Sequence, residues 1–284
     1  MPKVYKSPMS TRFAPSPTGL LHLGHVYAAK FARNLARATG TEFLLRFEDI
    51  DTTRIRPDYY SEIERDLKWL GLDWDGTPLR QTDRFPAYTQ ALTELQSRQV
   101  IYPCFCTRRE IQEEIAAMRG APHTQGEEPQ YPGTCRSLST EQRQDLIASG
   151  KSHCWRLDTK AAIKQTGELH FEDEIHGKIQ VNENLLGDVI LARKDIATSY
   201  HIAVVVDDAM QEITDVTRGE DLLSSTHVHR LLQGLLGLPT PRYHHHRLIL
   251  GNDQKRLAKR DLALSINSLR EQKKTASEVL AMIT

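Results

Sequence analysis

Long apolar runs are missing from this sequence. None approaches the roughly 20 residues needed to cross a bilayer. The opening residues, Met1-Pro2-Lys3-Val4-Tyr5-Lys6, lack the apolar centre of a secretory signal. Cysteine is scarce, with four in 284 residues. That excludes a disulfide framework and suits a reducing, cytoplasmic compartment. Net charge is absent too, with 37 Lys and Arg against 37 Asp and Glu. Wholesale electrostatic attraction to nucleic acid is therefore not indicated, while a local basic face stays open. There is no internal repeat and no low-complexity segment. What is present is ordinary for a globular protein, 39% apolar and 26% charged. The length suits one large or two modest domains.

The chain is organised around Arg12-Phe13-Ala14-Pro15-Ser16-Pro17-Thr18-Gly19-Leu20-Leu21-His22-Leu23-Gly24-His25. Arg12 to Ala14 is a short extended run. Pro15 and Pro17 fix φ and hold the residues before them extended. Gly19 allows a reversal. Val26, Ala29, Ala32, Leu35 and Ala36 then recur at helical spacing up to Gly40, a suitable C-cap. His22 and His25 thus stand where a strand hands over to a helix. In a doubly wound sheet that is where free N–H groups meet an anion. Two histidines three apart can also merely decorate a helix start, or form half of a zinc pair. No acidic third ligand is obvious nearby.

Glu42 to Phe47 reads as a second strand, ending in Glu48-Asp49-Ile50-Asp51, where open α/β sheets place ligand contacts. Asp51 can equally cap the next helix. Pro57 opens that helix, with Tyr59, Ile63, Leu67 and Leu70 on one face, and another spans roughly 85–98. This β-α-β-α start is half a nucleotide-binding sheet. Beyond Tyr102 the pattern changes. Residues 119–136 carry no apolar periodicity, and 153–192 alternate like antiparallel strands at Cys154–Leu157, Leu169–Phe171, Lys178–Val181 and Val189–Leu191. Residues 101–192 are therefore read as an insertion. Ile202 to Val206 reads as a strand on periodicity alone. Ile213 to Val216 reads as a strand, His227 to Leu236 as a helix, and Arg247 to Leu250 as a last strand.

Cys104-x-Cys106 is half of a zinc site, and Cys135 beyond an irregular loop could close it. Such a site would staple a loop that has no core of its own. Chemistry alone favours His123 as the fourth ligand. Cys154 lies on a strand-like run and reads as core. His244, His245 and His246 are consecutive, so in a strand they point to alternate faces and make a poor metal site. Gly251 to Arg260 is a turn followed by four cations in six positions, either a solvated basic loop or a lid that neutralises phosphate.

Three of these stretches carry a resemblance. Arg12 to His25 resembles the HIGH signature of the class I aminoacyl-tRNA synthetases, as their glutamate branch writes it. Arg256-Leu257-Ala258-Lys259-Arg260 resembles their KMSKS loop, with Lys259 on the second lysine, Arg256 on the first and Ala258 in place of the serine. Tyr131-Pro132-Gly133-Thr134-Cys135 with Cys104-x-Cys106 resembles the zinc motif of the glutamyl-queuosine tRNA(Asp) synthetases. That motif makes Tyr131, and not His123, the fourth ligand of one structural Zn²⁺.

The resemblance covers the chain from Arg12 to about Arg260. It implies an α/β class I catalytic fold with a Rossmann-like parallel sheet, an inserted zinc-containing subdomain and no anticodon-binding domain. The first half of the catalytic domain would be 1–100, the insertion 101–192, and the second half 193–284. It implies a helix at 202–206. The expected ligase activates L-glutamate with ATP and Mg²⁺ and esterifies queuosine in the anticodon arm of tRNA(Asp), as a cytoplasmic monomer with no membrane partner. His22, His25 and Lys259 would be catalytic, and His22, Gly24, His25 and Lys259 would hold ATP. Arg12, Phe13, Ala14, Pro15, Ser16, Glu48, Tyr200 and Arg218 would line the glutamate site. The sequence does not say which arginine takes which carboxylate. The alternatives are a truncated glutamyl-tRNA synthetase core and a non-enzymatic RNA-binding relative.

Overall fold

A computed structural model describes residues 10–118, 131–249 and 265–283. His123, Arg256, Ala258 and Lys259 lie outside the described residues, as does nearly all of the lead-in before Thr11.

The first parallel sheet is built from β1 (Thr11–Phe13), β2 (Phe43–Phe47) and β3 (Leu79–Arg80), paired in that order. The connecting helices are α1 (Leu23–Thr39) and α2 (Asp58–Trp69), followed by α3 (Phe85–Ser97). Helix α1 buries Leu23, Val26, Ala29, Ala32 and Ala36, the residues at helical spacing, and ends at Gly40 with φ of 69°. Asp51 does not cap α2. Its carboxylate instead accepts from Thr53 and Arg54 within its own turn.

Strand β4 (Ile101–Cys104) leads to α4 (Arg108–Met118), α5 (Thr140–Ala148), β5 (Cys154–Leu157), α6 (Thr159–Thr166), the hairpin β6 (His170–Asp173) and β7 (Gly177–Gln180), and β8 (Ile190–Ala192). Strands β4, β5 and β8 form an antiparallel sheet. The hairpin joins a different sheet.

Helix α7 (Tyr200–Met210) precedes β9 (Asp215–Gly219), α8 (Leu223–Leu236) and β10 (Arg242–His246), with short helices α9 (Ile266–Glu271) and α10 (Ala276–Ala281) at the end. Strands β9 and β10 pair in parallel over five residues, and β6 pairs with the other edge of β10. The start of β9 abuts β1, where Thr214 and Asp215 donate N–H to Ser10 O at 3.2 and 3.1 Å.

Two expectations need comment. Ile202 to Val206 is helical, because α7 is buried over Ile202 to Val205 and alternation carries no information for a helix covered on most sides. Of the segment read as the last strand, Arg247 to Ile249 are irregular and Leu250 lies outside the described residues; the last strand among the described residues is Arg242–His246. Its three histidines are buried, and the neighbouring strands supply Asp215 for His244 and Asp173 for His245, so a polar run is tolerated inside the sheet.

Candidate active site

The site forms at the carboxyl ends of β1, β2, β9 and β10. His22 is the N-cap of α1. Its Nδ1 accepts the Gly24 N–H at 3.1 Å, and His25 Nδ1 accepts the His22 N–H at 3.2 Å. Two imidazoles thus build a capping box, their rings stacked at 3.7 Å. With both Nδ1 atoms accepting, a neutral ring carries its proton on Nε2. A Cβ on residue 24 would stand 3.0 Å from His22 Cε1, so only glycine leaves the ring undisturbed. The first turn of α1 holds no acidic residue, which leaves the positive dipole end suited to an anion. The chain returns to this point at Ser265, which bridges to His22.

The Pro15 turn is tied to the end of β2, with the Glu48 N–H donating to Pro15 O at 3.0 Å. Phe13 packs into the core, while Ala14 and Ser16 are half-buried. Arg12 is 5% exposed and forks onto Asp208, Nε at 2.8 Å and Nη2 at 3.1 Å, with Nη1 on Thr217 O. Asp208 also accepts Arg46 Nη1 at 2.7 Å. Burial pushes the Asp208 carboxyl up, but Arg12 and Arg46 more than offset that and bring it down to about 2. Glu48 stands 3.6 Å from Arg46 Nη2, and burial raises its pKa above the ordinary carboxyl value.

Arg218 differs from Arg12. It is 6% exposed, and among the described residues no carboxylate lies within ion-pair distance. Its partners are neutral: His245 Nε2 at 3.2 Å, His229 Nδ1 at 3.1 Å, Thr226 Oγ1, and Tyr200 Oη at 3.4 Å. Burial raises the Tyr200 pKa, and the charges of Arg218, Glu48 and Arg12 act on the same hydroxyl. Burial and Arg218 lower His201 to about 4 and His229 well below its ordinary value, so these rings are neutral at physiological pH. Sequence reasoning missed Asp208, Arg46, Thr226, His229 and Asp173. Three histidines ending a strand at a ligand-binding sheet edge were the available signal, and it was read only for metal.

The insertion gathers its thiols. The Sγ atoms of Cys104, Cys106 and Cys135 lie within 4.8 Å of one another. Tyr131 Oη is 3.4 Å from Cys104 Sγ and 3.5 Å from Cys106 Sγ, and Cys106 and Cys135 are 3.4 Å apart. Around tetrahedral zinc, sulfur–sulfur and sulfur–oxygen edges of about 3.8 and 3.5 Å follow from the bond lengths, so the donor set fits. Backbone N–H groups already orient it, Phe105 toward Cys135 Sγ and Cys135 toward Tyr131 Oη. Arg156 lies over the Tyr131 ring at 3.9 Å. Cys154 is buried in the same cluster and is not among the three. Among the described residues no grouping that could hold a metal includes the histidines of β10.

The model of the class I tRNA synthetases (E and Q), catalytic domain, matches residues 8–284. The chain belongs to this family. As a class I synthetase it is a ligase-type enzyme. It is 43% identical over 279 residues to a Rhodobacter capsulatus protein named glutamyl-Q tRNA(Asp) synthetase, covering 97% of this chain and 99% of that one. It is 39% identical to the glutamate–tRNA ligase of Aquifex aeolicus, over 94% of this chain but 54% of the relative. The glutamate-tRNA synthetase of Elizabethkingia anophelis superposes with a TM-score of 0.76 at 32% identity, over 90% of this chain and 53% of that one. No described helix is long and apolar enough to cross a membrane.

Proposed function

We propose that this synthetase activates L-glutamate with ATP and Mg²⁺ and transfers it to the queuosine base of tRNA(Asp). The observation that carries the amino-acid part is Arg218, a buried guanidinium whose partners among the described residues are all neutral. It needs an anion, and Glu48, paired only at 3.6 Å with Arg46, can take a further cation. A substrate with a carboxylate and an ammonium answers both. Arg218 takes a glutamate carboxylate, Glu48 takes the ammonium, Tyr200 walls the site, and Arg12 to Ser16 shape it from the backbone side. A neutral amide would leave the charge unpaired, so glutamate is preferred over glutamine.

Activation attacks the α-phosphorus, and charge grows on phosphate oxygens. His22 and His25 meet that charge as Nε2–H donors at the open end of α1. Gly24 lets the nucleotide approach, and Lys259 neutralises the phosphates. Zn²⁺ held by Cys104, Cys106, Tyr131 and Cys135 would staple the insertion and supply no chemistry to the reacting atoms. A monomer in the cytoplasm completes the reading. The acceptor part is supported by the near full-length match to a relative named for tRNA(Asp), against about half the length of those named for glutamate–tRNA ligation.

The test supplies labelled glutamate with tRNA(Asp) bearing queuosine, the same transcript unmodified, and tRNA(Glu). Label is expected on the first alone and should survive removal of the 3′-terminal adenosine. Charging of tRNA(Glu) at its 3′ end, with no effect of queuosine, would refute the acceptor reading.

A further inference from the structure

Arg218 is aimed by a chain of groups that begins outside the pocket. Its Nε–H can only donate, so His245 Nε2 must accept at 3.2 Å. The proton of that ring is then on Nδ1, 2.6 Å from Asp173 Oδ2. Asp173 also accepts the His245 backbone N–H at 3.2 Å and, through Oδ1, the N–H groups of Ile175 and His176 in the hairpin turn. Its carboxylate is fully buried, as is the His245 ring. Thr226 Oγ1 lies 2.9 Å from His245 Nε2 and takes an N–H from Arg218 Nη2. Strand β6, helix α8 and strand β10 therefore converge on one guanidinium of β9.

We propose that Asp173 and His245 are positioning residues for the substrate: Asp173 fixes the tautomer of His245, and His245 holds the Arg218 guanidinium in the orientation that receives a glutamate carboxylate. This rests on the reading of Arg218 as the substrate's carboxylate partner. Strand β6 is reached through the segment between the two halves of the catalytic sheet, so an element remote in sequence sets the geometry of the amino-acid site. A second imidazole, His229, accepts from Nη1 and fixes the other edge of the fork. Both rings must be neutral to accept. In a pocket surrounded only by such acceptors, the guanidinium keeps its full charge for the substrate while its direction is set by the protein.

Two substitutions separate positioning from mere packing. Asn at 245 places its polar atoms near Nδ1, keeping a partner for Asp173 and removing the acceptor for Arg218. Gln places an acceptor near Nε2. Glutamate-dependent ATP–pyrophosphate exchange is measured on His245→Asn, His245→Gln and Arg218→Ala, each checked for an unchanged thermal midpoint. His245→Asn should raise the KM for glutamate roughly ten- to a hundredfold, the worth of a hydrogen bond to a charged group. Its kcat should stay within about twofold and its KM for ATP should not change, while His245→Gln should stay near wild type. Asp173→Asn, which presents N–H₂ to His245 Nδ1 and turns the tautomer round, should shift glutamate KM in the same direction. If Arg218→Ala raises glutamate KM but His245→Asn does not, the positioning role is wrong and the pocket reading stands. If both variants at 245 lose kcat and both affinities together, the role is structural and the proposal fails. If Arg218→Ala leaves glutamate KM unchanged, the pocket reading fails and takes this proposal with it.

Discussion

Replacing Asp208 with Asn removes the carboxylate that two buried guanidinium groups share. Arg46 is fully buried and Arg12 nearly so, and Asp208 accepts three charge-assisted hydrogen bonds from them at 2.7, 2.8 and 3.1 Å. Removing one partner from a buried ion pair costs roughly 3–5 kcal/mol, because the other charge is left uncompensated. A second route to the magnitude uses the acid constant. A carboxyl lowered from 3.8 to about 2 contributes on the order of 2 kcal/mol at roughly 1.36 kcal/mol per pH unit. A loss of about 2–5 kcal/mol in urea unfolding at pH 7 is therefore expected. The sign follows from the direction of the shift. The folded pKa is depressed, so the contribution is fully present above the ordinary value near 3.8 and is lost as pH falls through about 2. The gap between wild type and Asp208→Asn should be constant from about pH 7 to 5 and narrow below about 4. A double-mutant cycle with Arg46→Met should show coupling above about 1 kcal/mol. A loss under about 1 kcal/mol at pH 7, or a gap that ignores acid, would refute the shared-carboxylate account.

Purified protein should carry about one equivalent of zinc by elemental analysis, and Cys104→Ser or Cys135→Ser should lose it and make the insertion protease-sensitive while the parallel sheets stay folded. Native protein without metal, with Cys104 and Cys106 both alkylated at once, would count against the site. Glu48→Gln should lower kcat/KM for glutamate by roughly ten- to a hundredfold, the loss of one charge-assisted pairing with the ammonium. Burial raises the Glu48 pKa, so wild type should lose glutamate affinity as pH falls through that raised value. The Gln variant should lack that acid limb, and a variant that keeps it would move the ammonium site elsewhere.

The local geometry of Arg12 to His25, proposed to meet the phosphates, was legible, because one contiguous stretch encodes it. The turn residues, the two histidines and the helix that follows are local in sequence, and local chemistry fixes their geometry through capping and glycine clearance. The thiol cluster was legible for a similar reason, since Cys104 and Cys106 are two apart and only Cys135 and Tyr131 had to be brought in. Elements failed where burial erased the signal. Ile202 to Val206 is a continuous apolar run because α7 is buried there, so the helix came from the family resemblance and not from periodicity, and β10 hides behind three histidines that no hydropathy pattern selects. Only their partners on β6 and β9 make them acceptable inside a sheet.

For the proposed amino-acid pocket the sequence names Arg12 and Arg218 but not their partners. Arg12 and Arg218 read alike in the sequence, as two cations near two turns. The structure separates them by what faces each. Asp208 is 196 residues from Arg12, and no spacing rule connects them. Once the pair forms, the charge of Arg12 is balanced within the protein. Among the described residues Arg218 has no such balance, and hydrogen bonds to neutral rings and hydroxyls do not cancel the cost of desolvating a charge. The described residues therefore supply no counterion for that charge, and a bound anion would offset the imbalance. A stability argument alone would remove Arg218. Its place among histidines held neutral by burial gives the proposed carboxylate site an electrostatic basis in the fold itself, set before any substrate arrives.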